Sequence, residues 1–298
     1  MSSSRHPIAL SVERRVGTAT KLLAVVMCLP LVDGIFPALV LAGALNTAAG
    51  VVEVGLLVFG GSATVAVVLA EMDGTARERL RTVLAVGALV IAAAVVEAAL
   101  APTIAAALNL AVFERFAAVV ILAVAAKTAS ARVGEYLPRP AVVVGLGLVA
   151  SVDPAGARLV VDVDPALLGR AFAAATVGVG FAAAVALASP WLRTAVDLDR
   201  FRFGSAVALA VLALSILPVG AVPAEAPIAL AVLAVTALLA FDPGQARERG
   251  PASDGEPAPA KADGGGDDGA TDGDEPAEPE RDPAGQAGEY DTERVPWL

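Results

Sequence analysis

Asp33 is the residue best placed to do chemistry. It sits inside the apolar stretch Leu22 to Leu45, LLAVVMCLPLVDGIFPALVLAGAL, which is long enough to cross a bilayer as a helix. Gly34 follows it, and Pro30 and Pro37 bracket it. Glycine weakens a helix through backbone entropy, and proline removes the hydrogen bond to the carbonyl four residues earlier. A carboxylate beside freed carbonyls suits a small cation or a proton. Non-helical backbone at membrane depth survives only where it is packed in protein or lines a wet cavity. Asp153, Pro154 and Gly156 repeat the arrangement later in the chain. Broken helices at corresponding places in two halves point to a transporter's binding site. The competing reading is structural: an aspartate at a kink caps the helix segment that follows. For Asp153, with Arg158 close by, a place at an outer boundary is the stronger alternative.

Other polar residues carry weaker signals. Glu53 and Glu97 fall near the ends of their apolar runs, where long side chains reach the interface. Glu114 and Arg115 form either an internal or an interfacial pair, and an interfacial one costs less. Phe59-Gly60-Gly61-Ser62-Ala63-Thr64 puts small residues together and favours close helix packing.

Enzyme chemistry finds little support. His6 is the only histidine and Cys28 the only cysteine, so there is no intrachain disulfide, no zinc site built on a histidine pair and no histidine-based triad. The sequence holds no HExxH, no GxSxG and no P-loop. Gly145-Leu146-Gly147 lacks the further glycine and the βαβ context of a dinucleotide fingerprint. Asp33 and Asp153 as an intramembrane protease pair have no protease motif around them. No basic domain exists to bind nucleic acid. The expectation is a protein that is not an enzyme and takes no cofactor and no metal cluster.

The elements that must position Asp33 are read from composition. Of 298 residues, 57% are hydrophobic and the mean hydropathy is +0.72, above the apolar share of about 45–50% in soluble domains. The apolar residues come in runs of about 20 without polar faces, the pattern of transmembrane helices. Eight spans are expected, at about 22–45, 51–70, 82–101, within 104–130, and at 141–160, 166–189, 203–221 and 224–241. The fourth is read as starting near Val112. Basic residues cluster on alternate flanks: Arg77, Arg79 and Arg81; Lys127, Arg132 and Arg139; Arg193, Arg200 and Arg202. By the positive-inside rule these flanks and both termini are cytoplasmic, and the expected location is the cell membrane.

Three landmarks recur at 120–121 residues: Asp33 with Asp153, Arg81 with Arg202, and Pro102 with Pro223. They suggest a tandem duplication of four helices, in parallel orientation. The expected organisation is a cytoplasmic segment 1–21, a first transmembrane half 22–130, a second half 141–242 and an acidic tail 245–298. From Pro251 onward there are 14 acidic and 3 basic residues, so the net charge of −10 belongs to the tail. Such a segment cannot bury enough surface to fold alone and is expected to be disordered. Its end, Val295-Pro296-Trp297-Leu298, is a candidate docking motif for a cytoplasmic protein. Only 3 lysines accompany 18 arginines, and this acid-rich, lysine-poor usage suggests a high-salt cytoplasm.

With VDGIFPALV and FGGSAT in view, the chain resembles a family of haloarchaeal multi-pass membrane proteins known only as a domain of unknown function. The likeness covers about residues 5–242. It implies an integral membrane protein of halophilic origin and no activity. A more distant, architectural likeness is to small exporters of the lysine-exporter and tellurium-resistance type, which place acidic or Pro-Gly breaks in related helices. The expected fold is all-α: a polytopic transmembrane bundle. The leading function is a secondary transporter or exporter, with Asp33 and Asp153 binding a small cation or proton and Gly34, Pro37 and Pro154 supporting the helix breaks. The alternative is a membrane scaffold whose tail recruits a partner.

Overall fold

The computed structural model describes residues 17–154, 164–217 and 227–242. The expectations for the termini, for Gly156, Arg158 and Pro223, and for the tail lie outside them. The described residues form helices, with isolated two-residue bridges in place of strands. In chain order they are α1 (Thr18–Val32), α2 (Ile35–Leu41), α3 (Ala48–Val54), a π-helical turn (Gly55–Phe59), α4 (Ser62–Ala70), α5 (Ala76–Ala106), α6 (Leu110–Ala129), α7 (Ala131–Tyr136), α8 (Pro140–Ser151), α9 (Pro165–Ala195), α10 (Leu198–Ile216) and α11 (Ile228–Ala240).

Three segments are long and apolar enough to cross a membrane: Thr18–Leu41, Ala76–Ala106 and Pro165–Ala195. A fourth is the pair Ala48–Phe59 and Ser62–Ala70, bent by 46°. The bundle interior holds Leu23, Met27, Phe36, Leu39, Phe59, Val83, Val90 and Ile121, all fully buried. Its outside is also apolar: Leu84, Leu89, Val96 and Leu100 on α5 are each more than half exposed. Large exposed apolar faces of this kind need a non-aqueous neighbour.

Helix ends follow local chemistry. Thr75 and Glu78 form a capping box that starts α5 two turns before the apolar run. Asn109 caps α6, so Glu114 and Arg115 fall in its second turn rather than at its centre. The fifth apolar run ends as a helix at Ser151, short of its expected length, because Val152 leaves the helix to pair with Leu108.

The internal symmetry differs from the expected one. The matched elements are three-helix units: α5, α6 and α8 against α9, α10 and α11. Ala76 and Pro165 start 31-residue helices, and Ala106 and Ala195 end them, each pair 89 apart. Pro102 and Pro190 lie inside those helices, 88 apart, and Asn109 and Asp197, which cap the next helices, are also 88 apart. Each unit closes on the same device. The Asn109 N–H donates to Ser151 O (2.6 Å) and the Asp153 N–H to Ala107 O (2.8 Å). The Asp197 N–H donates to Ala240 O and the Asp242 N–H to Ala195 O, both at 2.8 Å. An odd number of helices inverts the second unit. Thus α5 packs antiparallel to α9, with Arg79 at its start beside Ala186 and Gly87 against Val179. Arg202 at the start of α10 reaches Thr128 near the end of α6. At the 120-residue offset, by contrast, the 31-residue α5 would face the 19-residue α10, and the four-helix duplication is set aside.

Candidate functional site: two broken helices crossing

The first span breaks at Asp33 and Gly34. Asp33 closes α1 in the right-handed region, and its N–H still donates to Leu29 O at 2.8 Å. Gly34 turns the chain with φ +76°, a left-handed conformation that only glycine adopts at little cost, and begins α2. No side chain caps α2, so Asp33 does not serve as the cap that a structural reading assigns it. One proline removes a donor just before the break. Pro30 leaves Val26 O without its helical partner, while Pro37 sits in the first turn of α2, where its missing N–H costs no helical bond. Asp33 is half-buried, and Lys127, in the last turn of α6, lies within electrostatic range.

The second span breaks at Gly60 and Gly61. The π-helical turn ends with the Gly60 N–H donating to Gly55 O at 3.0 Å. Single π-turns inside helices mark functional sites more often than regular helix does. The Thr64 hydroxyl donates to Phe59 O (2.8 Å), satisfying one carbonyl freed by the break. No side chain caps α4, whose first amides have no helical acceptor. Close packing requires glycine here. A Cβ on Gly55 would lie 2.5 Å from Ala174 O, and one on Gly178 would strike Phe59.

The two breaks meet. Phe36, two residues past Gly34, packs on Phe59, one residue before Gly60, with ring centroids 5.1 Å apart. Both breaks lie at mid-height. A Cβ on Gly34 would sit 3.0 Å from Val144, and Gly147, one turn further along α8, rests on Phe116 in the second turn of α6; Gly34 is therefore level with the middle of α6. Phe59 faces Gly178, near the midpoint of α9. The two broken spans thus touch through residues next to their breaks, and each break leaves one helix end that presents carbonyls, with Asp33 on one of them, and one that presents amides. Carbonyl ends and a carboxylate suit a cation, and amide ends suit an anionic group.

The second predicted residue stands apart. Asp153 is exposed, follows the end of α8, and uses its N–H in the bridge to Ala107. Pro154 lies in the turn after it and breaks no helix. About 10 Å of helix separates Val144, at the level of Gly34, from the end of α8. Asp33 and Asp153 therefore do not form one site, and they are not repeat-related.

Two glutamates have roles that sequence reasoning missed. Glu53 is buried, and its Oε1 accepts from the Leu230 N–H at 3.2 Å; the Ala229 N–H donates to the same carboxylate. It caps the first turn of α11 from a different helix instead of reaching for an interface. Glu97 buries Oε2 with no hydrogen-bond partner among the described residues.

By fold this is an all-helical protein with a membrane-compatible exterior. The model of a family of unknown function (DUF5794) matches residues 90–217, from the middle of α5 to the residue after α10. The match spans parts of both inverted units and leaves out the two broken spans, including VDGIFPALV and FGGSAT. No curated protein and no solved structure matches the chain.

Proposed function

We propose that this is a multi-pass protein of the cell membrane, with eight crossings and cytoplasmic termini, that acts as a secondary transporter or exporter of a small solute or ion. Asp33 is its cation or proton site. The observation that carries the reading is the contact of two mid-height helix breaks through Phe36 and Phe59. Inverted-topology repeats with discontinuous helices at their interface are a recurrent transporter design, in which one repeat rocks against the other around a fixed site. The inverted units α5-α6-α8 and α9-α10-α11 supply that symmetry, and the broken hairpin α1–α4 packs against it. Helices α8 and α11, with 12 and 13 residues, are short for a hydrocarbon core of about 30 Å, and local thinning of the bilayer accommodates such spans. The acid-rich, lysine-poor composition fits a high-salt cytoplasm.

The acidic tail favours a second reading, a scaffold that recruits a cytoplasmic partner. Charge movement in proteoliposomes on a solid-supported membrane separates the two. Cation or pH jumps give a current in wild type and in a chain ending at Gly250, and none in Asp33→Asn, if the protein transports. No current from any of the three, with partner capture lost on truncation, supports the scaffold instead.

A further inference from the structure

Among the described residues, Glu97 alone buries a side-chain oxygen, Oε2, that meets no hydrogen-bond donor. The residue stands near the end of an apolar run, but α5 continues to Ala106, nine residues or about 14 Å further on. The carboxyl therefore lies inside the span, not at its edge. Helical side chains lean toward the preceding turn, which takes it deeper still. Val90, Ala94 and Ala101, its neighbours on the helix surface, are buried. Glu97 follows Arg79 by 18 residues, five turns of helix, so the two leave α5 on the same face. That face meets α9, where Arg79 donates to Ala186 O. The two ends of the α5–α9 contact are thus built differently. At one end a fixed charge, Arg79, is bonded to two carbonyls. At the other stands a carboxyl with nothing to hold a charge.

Helices α1, α2 and α9 pack against α5. Their titratable groups are Lys21, Cys28 and the closing Asp33 on α1, none on α2, and Arg170 and Arg193 on α9. None of them is paired with Glu97, which makes no hydrogen bond or ion pair among the described residues. Arg170, at the level of Glu97 by the register of Arg79 with Ala186, is exposed and donates to Asn46 Oδ1 at 3.5 Å. An ionised carboxylate without a partner at this depth is costly, and taking up a proton removes the cost. A metal ion would need further ligands, and the described residues hold no group of three acidic, histidine or cysteine side chains. A proton needs one carboxylate only. We propose that Glu97 is a proton-binding site that keeps its proton at neutral pH, and with it a site of modification by membrane-soluble carbodiimides. In that reaction the acid proton moves to one carbodiimide nitrogen and the carboxylate oxygen bonds the central carbon. The acyl group then migrates to the other nitrogen, giving a stable N-acylurea with no leaving group. The site is separate from Asp33 and does not depend on transport; it rests only on the reading of α5 as a membrane crossing.

The test uses the full chain in lipid nanodiscs. The infrared difference between wild type and Glu97→Gln at neutral pH should contain the C=O stretch of a protonated carboxylic acid, and raising the pH should convert it to carboxylate bands. Dicyclohexylcarbodiimide, followed by peptide mass spectrometry, should modify Glu97 at least five-fold more than the exposed Glu71, and more than Glu53, whose carboxylate accepts two amides. Glu97→Gln should lose that adduct and no other. A water-soluble cationic carbodiimide should modify Glu71 and leave Glu97 untouched. Carboxylate bands in place of the acid band would overturn the proposal and, with Glu97 still shielded from the water-soluble reagent, would leave the membrane crossing standing. Modification of Glu97 by dicyclohexylcarbodiimide no greater than that of Glu71 would overturn it as well. Modification of Glu97 by the water-soluble reagent as fast as Glu71 would overturn both the proton site and the crossing.

Discussion

Arg79 offers the sharpest test of how this bundle is held together. Pro190 lacks an N–H, so α9 leaves the carbonyl of Ala186 without its usual donor. The Arg79 guanidinium, buried between α5 and α9, supplies one: Nε donates to Ala186 O at 3.1 Å, and Nη1 donates to Gly74 O at 2.6 Å. The Ser189 hydroxyl adds a second donor to Ala186 O at 3.0 Å. A hydrogen bond from a charged group contributes about 1.5–3 kcal/mol, so Arg79→Ala should cost about 3 kcal/mol or somewhat more. Pro190→Ala restores a helical N–H to Ala186 O and makes the Nε bond redundant. In that background Arg79→Ala should cost about 1–2 kcal/mol less, a coupling in the usual range for residues sharing a partner. Denaturant unfolding in a mild detergent, read by circular dichroism on the four members of the cycle, measures it. An Arg79→Ala cost that is the same in both backgrounds, within the roughly 0.3–0.5 kcal/mol scatter of independent sites, would refute the assignment of Arg79 to the proline-orphaned carbonyl.

Three further outcomes follow from single residues. Gly34→Ala forces an alanine into the left-handed region and brings its Cβ to 3.0 Å from Val144, so it should destabilise by about 1–2 kcal/mol in the same unfolding assay, whereas Gly145→Ala, with open space around it, should not. Glu53→Ala removes the acceptor for the first amides of α11 and should cost about 1–3 kcal/mol; Glu53→Gln, which keeps an oxygen, should recover part of it, and amide exchange at Ala229 and Leu230 should rise only in the alanine variant. Glu97→Leu removes a buried oxygen that has no partner and should raise the melting temperature; a fall would reveal a partner for Oε2 beyond the described residues.

The break at Asp33 was legible because its cause is local: glycine and proline act on the backbone within four residues. The same text at Asp153 misled because its context is tertiary. Val152 pairs with Leu108, so α8 has ended before the aspartate arrives. Glu53 reads like an interfacial carboxylate because the amides that claim it are 177 residues away in sequence. The repeat was misread for a related reason. Apolar spans of similar length yield near-constant offsets at several spacings, and 120–121 happened to align an Asp, an Arg and a Pro. The distinguishing features were the two long runs with Pro102 and Pro190 close to their ends and the capping residues Asn109 and Asp197 just beyond. Those gain weight only once both helices are seen to run for 31 residues. The contact of Phe36 with Phe59, which joins the two broken spans, leaves no periodic trace in the sequence.

The central claim is that the crossing of the two broken helices binds a cation through Asp33. The most direct measurement is a thermal-shift series on purified wild type and Asp33→Asn in high salt, titrating sodium, potassium, magnesium and protons against an inert background ion. A ligand bound only by the folded state stabilises it by about 2.7 kcal/mol at 100 times its Kd. The account predicts that one of these cations raises the wild-type melting temperature in a saturable way and leaves the mutant unmoved. Identical curves for the two proteins across all four, with Asp33→Asn as stable as wild type or more so, would contradict it and reduce Asp33 to a residue that merely ends a helix.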